Sequence, residues 1–298
     1  MHLEKINNLK EFLDLVAKEV PTVSLDRISI YRGHRDIKWK LIPRIARPPF
    51  RVPVAFHLVP GNSRCVERSL YVLFRDFSAS LMPEWVSQGT TREMSWRKLV
   101  VAQHHGLPTR LLDWSTNPLV GLFFAVEKDP KCCSCDGDRT RSGRKAAASS
   151  EPIQQKQKKT NCSYSSGEGL HDSAVYVLKN REGFTVAGLA RSKKNGEAPL
   201  YRYAETKVGI LWAPHISPRI TAQGSLFTIR KNPAKPIDPD LVIKIPHDKR
   251  KDILLQLDAL NINRRTLFPD MDGLAEYLRW DCRFWHPSRG IDQDLNPA

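Results

Sequence analysis

The sequence is short of several things, and each shortage excludes something. No apolar run approaches the roughly 20 residues that a membrane helix needs, so no membrane association is expected. Met1 to Lys10 is charged and has no apolar stretch behind it, which argues against a secretory leader. Cysteine is scarce, six in 298 residues, and forms no regular disulfide framework. Cys132, Cys133 and Cys135, with Cys162 further on, lack the second C-x-x-C pair of a zinc ribbon. Free thiols in a reducing, cytoplasmic setting are the expectation. No carboxylates cluster at metal-ligand spacing, so no metal is expected and a metal-dependent nuclease is disfavoured. There is no internal repeat and no signature of a known DNA- or RNA-binding motif. Acid is the scarcest class relative to its opposite: 32 Asp and Glu stand against 47 Lys and Arg, a net charge of +15. That balance favours an anionic partner: a nucleotide, a nucleic acid or an acidic protein.

What is present reads as an ordered fold with one interruption. Residues 6–20 predict an amphipathic helix with Leu9, Phe12, Leu13, Val16 and Val20 on one face. Residues 27–33 predict a strand ending in a turn. Helices are expected over 64–81, with Val66, Leu70, Leu73, Phe74 and Phe77 inward, and over 92–105, with Trp96, Leu99 and Val100 inward. Residues 131–172 are rich in Lys, Arg, Ser, Gly and Gln and read as a flexible insertion. Strands are expected at 173–178, 209–213 and 241–245, and across 217–230 as two alternating halves with a bulge at Gly224. Helices follow at 247–260 and after Pro269, with Asp270 or Asp272 near the last cap. The expected architecture is α+β, a small, mostly antiparallel sheet with helices packed on it. Residues 1–130 and 173–280 would form one domain, with 281–298 a polar tail.

One stretch organises the chain, Gln103 to Glu127. Gly106 and Pro108 end the helix that arrives from the N-terminal side. Ser115, Thr116 or Asn117 can cap a new helix with Pro118 in its first turn, and Leu119, Leu122, Phe123 and Val126 would bury one face of it. Gln103, His104, His105, Thr109, Arg110 and Asp113 crowd beside Trp114, just outside a helix N-terminus where an anion is favoured. Capping alone accounts for 115–118 but not for that crowd. An Arg110–Asp113 ion pair explains those two residues as well as a ligand site does. Upstream, Arg32 ends its strand beside Gly33. It can fork onto a phosphate or carboxylate, or pair with a surface acid. Gln223, beside Gly224, reads as a solvent-facing side chain.

Five motifs carry a resemblance: Tyr31-Arg32-Gly33, Trp39 to Arg44, Gln103 to Glu127, Arg219-Ile220-x-Ala222-Gln223-x-x-x-Phe227, and Leu267 to Ala275. In order and spacing they resemble the FRG domain family, from about residue 10 to about 280, with Tyr in the aromatic place. Ser115 stands where the family usually has Thr, and Gly121 where Ala is usual. Members look like bacterial and phage proteins, some of them linked to toxin or defence systems. The arrangement is also similar to ADP-ribosyltransferases, which implies NAD as substrate and either transfer or hydrolysis. On that analogy Arg32, His104, Asp113 and Gln223 are the catalytic candidates, Gln223 standing where transferases keep a Glu. Tyr31, Gly33, Thr109, Arg110, Trp114, Ser115 and Thr116 are the binding candidates. The competing reading is a non-catalytic module that binds a nucleotide or nucleic acid with the same arginines.

Overall fold

The two runs most clearly patterned as strands, Ser29–His34 and Ser173–Lys179, lie side by side at the centre of the fold. The structure is a computed structural model that describes residues 2–19, 28–48, 50, 66–88, 91–127, 171–179, 185–186, 208–212, 217–230 and 232–281. Its strands are β1 (His2–Lys5), β2 (Ser29–His34), β3 (Leu112–Ser115), β4 (Ser173–Lys179), β5 (Thr185–Val186), β6 (Gly209–Trp212), β7 (Ser225–Ile229) and β8 (Leu241–Ile245). Its helices are α1 (Leu9–Glu19), α2 (Val66–Phe77), α3 (Thr91–His104), α4 (Pro118–Val126), α5 (Pro218–Ala222), α6 (Arg250–Ala259), α7 (Arg264–Leu267) and α8 (Met271–Asp281).

The strands form one sheet in the order β1-β8-β4-β2-β3-β7-β6-β5. Only the two outermost pairings, β1 with β8 and β5 with β6, are parallel. The α+β class and the antiparallel bias expected from sequence therefore stand, on a sheet larger than the small one expected. β1, β3 and β5 are additions. None is longer than four residues, too short for alternation to separate a strand from a loop.

Alternation sorts the core. Tyr31, Val175, Val177, Ile243 and Ile245 meet α1, α4 and α6 on one face, where Phe12, Val120 and Ile253 are fully buried. On the β3–β7–β6 half of that face, Phe227, Ile229 and Leu211 meet Leu99, Val100, Tyr71 and Ile220. The opposite face holds Ile30, Leu112, Trp114, Tyr176 and Leu226. α4 is buried nearly all round, because it lies between the sheet and α6; the expected single apolar stripe understates it.

Two expectations fail for identifiable reasons. The inward face of α2 is Glu67 and Tyr71 rather than Leu73 and Phe77, which is 77% exposed. A buried ion pair, described below, sets that rotation. The first half of 217–230 is the helix α5, not a strand. Ser217 caps it by accepting from the Ile220 amide, and Pro218 sits in its first turn. Gly224, at φ +52°, then turns the chain into β7, a left-handed conformation that glycine adopts at no steric cost. Leu13 of α1 is exposed rather than inward. Residues 51–65, 131–170 and 282–298, which hold all six cysteines, lie outside the described residues.

Candidate functional site

β2 and α4 fix the geometry. A Cβ on Gly33 would collide with the Gly121 carbonyl and the Ala125 amide, and one on Gly121 would lie 2.8 Å from the Tyr31 Cβ. The two glycines let α4 lie flush on β2. Gly33 is therefore a packing residue rather than the ligand contact expected. Tyr31 shares that role: it is buried in the core beneath α4, where burial pushes its phenol up to about 12.

Beside this seam the sheet splits. β2 and β3 pair at a single position, Tyr31 opposite Ser115, and the Arg32 guanidinium enters the gap. Pairing puts Tyr31, Ser115 and Asp113 on one face, so Arg32 starts from the other. Its Nη1 donates to the Asp113 carbonyl at 2.5 Å and lies 3.7 Å from the Asp113 carboxylate. Its Nε donates to His34 Nε2 at 3.0 Å. His34 must then carry its proton on Nδ1, which lies 3.2 Å from the Trp39 carbonyl and donates to it. Burial, and then the Arg32 charge, hold the His34 pKa down at about 3. Burial lowers Arg32 to about 10, opposed by Asp113. Arg32 Nη2 has no hydrogen-bond partner among the described residues.

Asp113 is the exposed half of this pair, 57% exposed against 18% for Arg32. Gln103 Nε2 donates to its carboxylate at 3.1 Å and to the Leu111 carbonyl at 3.3 Å, while the Thr109 hydroxyl donates to Gln103 Oε1. More cations surround the carboxylate. Arg47 is anchored through Nε and Nη2 to the Ile42 carbonyl, and Arg219 projects from α5; both sense the Asp113 charge. Arg219 lies 4.4 Å from the centre of the Phe268 ring, whose other guanidinium neighbour is Arg264. His104, at the end of α3, is held below its ordinary pKa by burial, then by His105 and Arg219. The result is a cluster of cations around one accessible carboxylate, the candidate site. Arg32 and Asp113 meet in it directly. His104 flanks it, with no hydrogen bond to either among the described residues.

The other candidates are placed elsewhere. Arg110 is sealed against Glu67, with Nε–oxygen distances of 2.8 and 3.0 Å and Nη2–oxygen 2.5 Å, while the Arg110 amide also donates to Glu67 at 3.1 Å. Both side chains are buried, 5% and 3% exposed. Arg110 is thus neither a ligand residue nor the partner of Asp113. Thr109 is buried and braces Gln103 and the Leu111 amide. Trp114 is buried and donates to the Thr228 hydroxyl at 2.8 Å. The Ser115 hydroxyl donates to the Gln223 carbonyl at 2.6 Å and accepts from the Asn117 amide. Thr116 packs on Gly224 and donates to its carbonyl. Gln223 is half-buried and not solvent-facing. Its Nε2 donates to the Leu267 carbonyl at 3.0 Å, tying α5 to α7. The N-terminus of α4 is capped by Asn117, whose side chain accepts from the Leu119 amide.

Sequence reasoning missed His34, Arg47 and Arg219. His34 carries a usable signal, being two residues from Arg32 on the same face of one strand. Arg219 opens one of the five motifs, but neither it nor Arg47 has a sequence neighbour that points to Asp113, because their places depend on how distant segments dock. Among the described residues no three His, Cys, Asp or Glu side chains could hold a metal ion, and no helix is long and apolar enough to cross a membrane.

Neither the curated proteins nor the solved structures give a match to this chain. One family model does match, that of the FRG domain, over residues 27–132. The matched span is shorter than the 10–280 read from the motifs, yet it holds Arg32, His34, Arg47, Gln103, His104 and Asp113. Most of the residues of the candidate site thus fall within the family match, and the chain carries an FRG domain.

Proposed function

We propose that the candidate site binds a phosphate-bearing nucleotide, with NAD the favoured substrate, and cleaves its nicotinamide–ribose bond by transfer or hydrolysis. The observation that carries this reading is the accessible Asp113 carboxylate, held by Gln103 and Arg32 inside a ring of arginines. The cations suit the two phosphates of a dinucleotide. The carboxylate suits the positive charge that develops on the ribose as nicotinamide leaves. In this scheme Arg32 positions Asp113 and turns its Nη2 toward a phosphate or ribose oxygen. His104, mostly neutral at pH 7, accepts a proton from the attacking water or acceptor hydroxyl. In a toxin or defence setting such an activity would deplete NAD or mark an acceptor.

The second reading is a nucleotide-binding module without turnover. Gln223 favours it, because the residue that the analogy aligns with a transferase Glu is neutral and tied to the Leu267 carbonyl. Nicotinamide release separates the two. Under the first reading Asp113→Asn lowers release by about 100-fold or more, while the variant stays folded. A folded wild-type protein that binds NAD and releases no nicotinamide, with or without nucleic acid or cell extract, would leave the binding module.

A further inference from the structure

The turn that follows β2 has a use that the candidate site does not absorb. Trp39 is 42% exposed, and Lys38 and Lys40 beside it are exposed too. The Arg35 guanidinium lies 5.6 Å from the centre of the indole. The turn is nevertheless tightly held. The Trp39 amide donates to the Asp36 carbonyl at 3.1 Å, and the Lys38 amide to the Asp36 carboxylate at 2.8 Å. The Ile37 amide donates to the Asp172 carbonyl, and the Tyr176 hydroxyl to the Ile37 carbonyl, each at 2.9 Å. A large aromatic ring is thus presented to solvent on a fixed backbone, so a ligand that covers it loses little freedom of the protein.

Charge around it is one-sided. Between Arg32 and Phe50 the chain has six cations, Arg32, Arg35, Lys38, Lys40, Arg44 and Arg47, against one acid, Asp36. Asp36 is buried and engaged by the turn. Arg44 and Phe50 repeat the arginine-on-aromatic pairing at 5.7 Å, and Arg44 is pinned to the Gly106 carbonyl. The Trp39 carbonyl is two hydrogen bonds from Arg32 by way of His34.

We propose that this turn is a landing site for single-stranded nucleic acid: one base stacks on Trp39, and flanking phosphates are held by Lys38, Lys40 and Arg35. The chemistry favours a single strand over the other polyanions. An unpaired base offers a π-face that a stacked duplex base does not, and an acidic protein would need the lysines but not the indole. The landing site extends the basic segment away from the candidate site, and its test contains no NAD, so its failure and that of the nicotinamide reading are separate results.

The measurement is fluorescence anisotropy of the whole protein with a labelled 12-nucleotide single strand, the matching duplex and polyglutamate as competitors. With a net charge of +15 some binding of any polyanion is expected, so the readout is the Trp39-dependent part. Trp39→Ala should weaken single-strand binding by about 5- to 100-fold, and Trp39→Phe should restore most of it. The double variant Lys38→Gln with Lys40→Gln should reduce the slope of log K against log salt by roughly 1.4. Duplex binding should not respond to Trp39. Single-strand binding that is unchanged in Trp39→Ala, or absent, or displaced equally well by polyglutamate, would overturn the proposal. So would a Trp39-dependent preference for duplex.

Discussion

Two arginines approach β3 and end in opposite circumstances. Arg110 enters from its N-terminal side and is sealed against Glu67, with both partners almost fully buried and four donor–acceptor distances to that carboxylate between 2.5 and 3.1 Å. Arg32 comes from β2 and reaches Asp113 through the gap in the sheet. There the carboxylate is more than half exposed and 3.7 Å away. The first pair is a structural pin. It holds α2 to the start of β3 and, through the Arg230 carbonyl, to the end of β7. Inside the protein a carboxylate bonded this completely cannot lose its partner without leaving a charge uncompensated. The second pair has spare valence and access to solvent, which is what a ligand site requires. Ion pairing as such marks neither role; burial and the saturation of donors do.

The sharpest way to break that contrast is to remove the two acids separately. Glu67→Ala should lower unfolding stability by about 3–5 kcal/mol, read from denaturant midpoints at constant slope. In an Arg110→Leu, Glu67→Leu double variant the loss should be smaller than in either single one, since no charge is then stranded. Equal costs for removing Glu67 and Asp113 would mean that the two pairs are not different in kind.

A middle-sized effect comes from His34. Its folded pKa of about 3 lies below the ordinary 6.5, so the unfolded chain takes up a proton before the folded one does. Its contribution is therefore complete above about pH 6.5 and is lost as pH falls toward about 3, at up to about 1.4 kcal/mol per pH unit. In His34→Gln, which keeps an acceptor for Arg32 but does not titrate, the acid-side slope should be shallower than in the wild type. Matching slopes would show that His34 is not held neutral against Arg32.

The smallest change should come from Asp113→Asn. An exposed pair of this kind contributes under about 1 kcal/mol, and added salt should shrink the difference further. A large loss of stability would make Asp113 a structural residue and remove the basis for a site there.

Much of the framework is legible along the chain. β8 falls where Leu241 to Ile245 predicts it, and Asn117 and Pro118 start α4 as capping rules require. Asp270 caps α8, its carboxylate accepting from the Gly273 amide. The candidate site is only half legible. Arg32 and Asp113 were candidates and do meet. Tyr31, Gly33, Thr109, Arg110, Trp114 and Ser115 share the same motifs but serve packing and bracing. Residue type told polar from apolar there, but it could not tell a polar group with a protein partner from one without.

The sequence by itself determined the alternation, the caps, the basic balance and the segment that holds most of the candidate site, because each depends on neighbours within a few residues. The tertiary structure alone decided which arginine is open, since Glu67 finds Arg110 only when α2 docks on β3. It also brought Arg47 and Arg219 to Asp113 from remote parts of the chain. A guanidinium has five donors, and their partners are set by distance in space, on which spacing along the chain is silent.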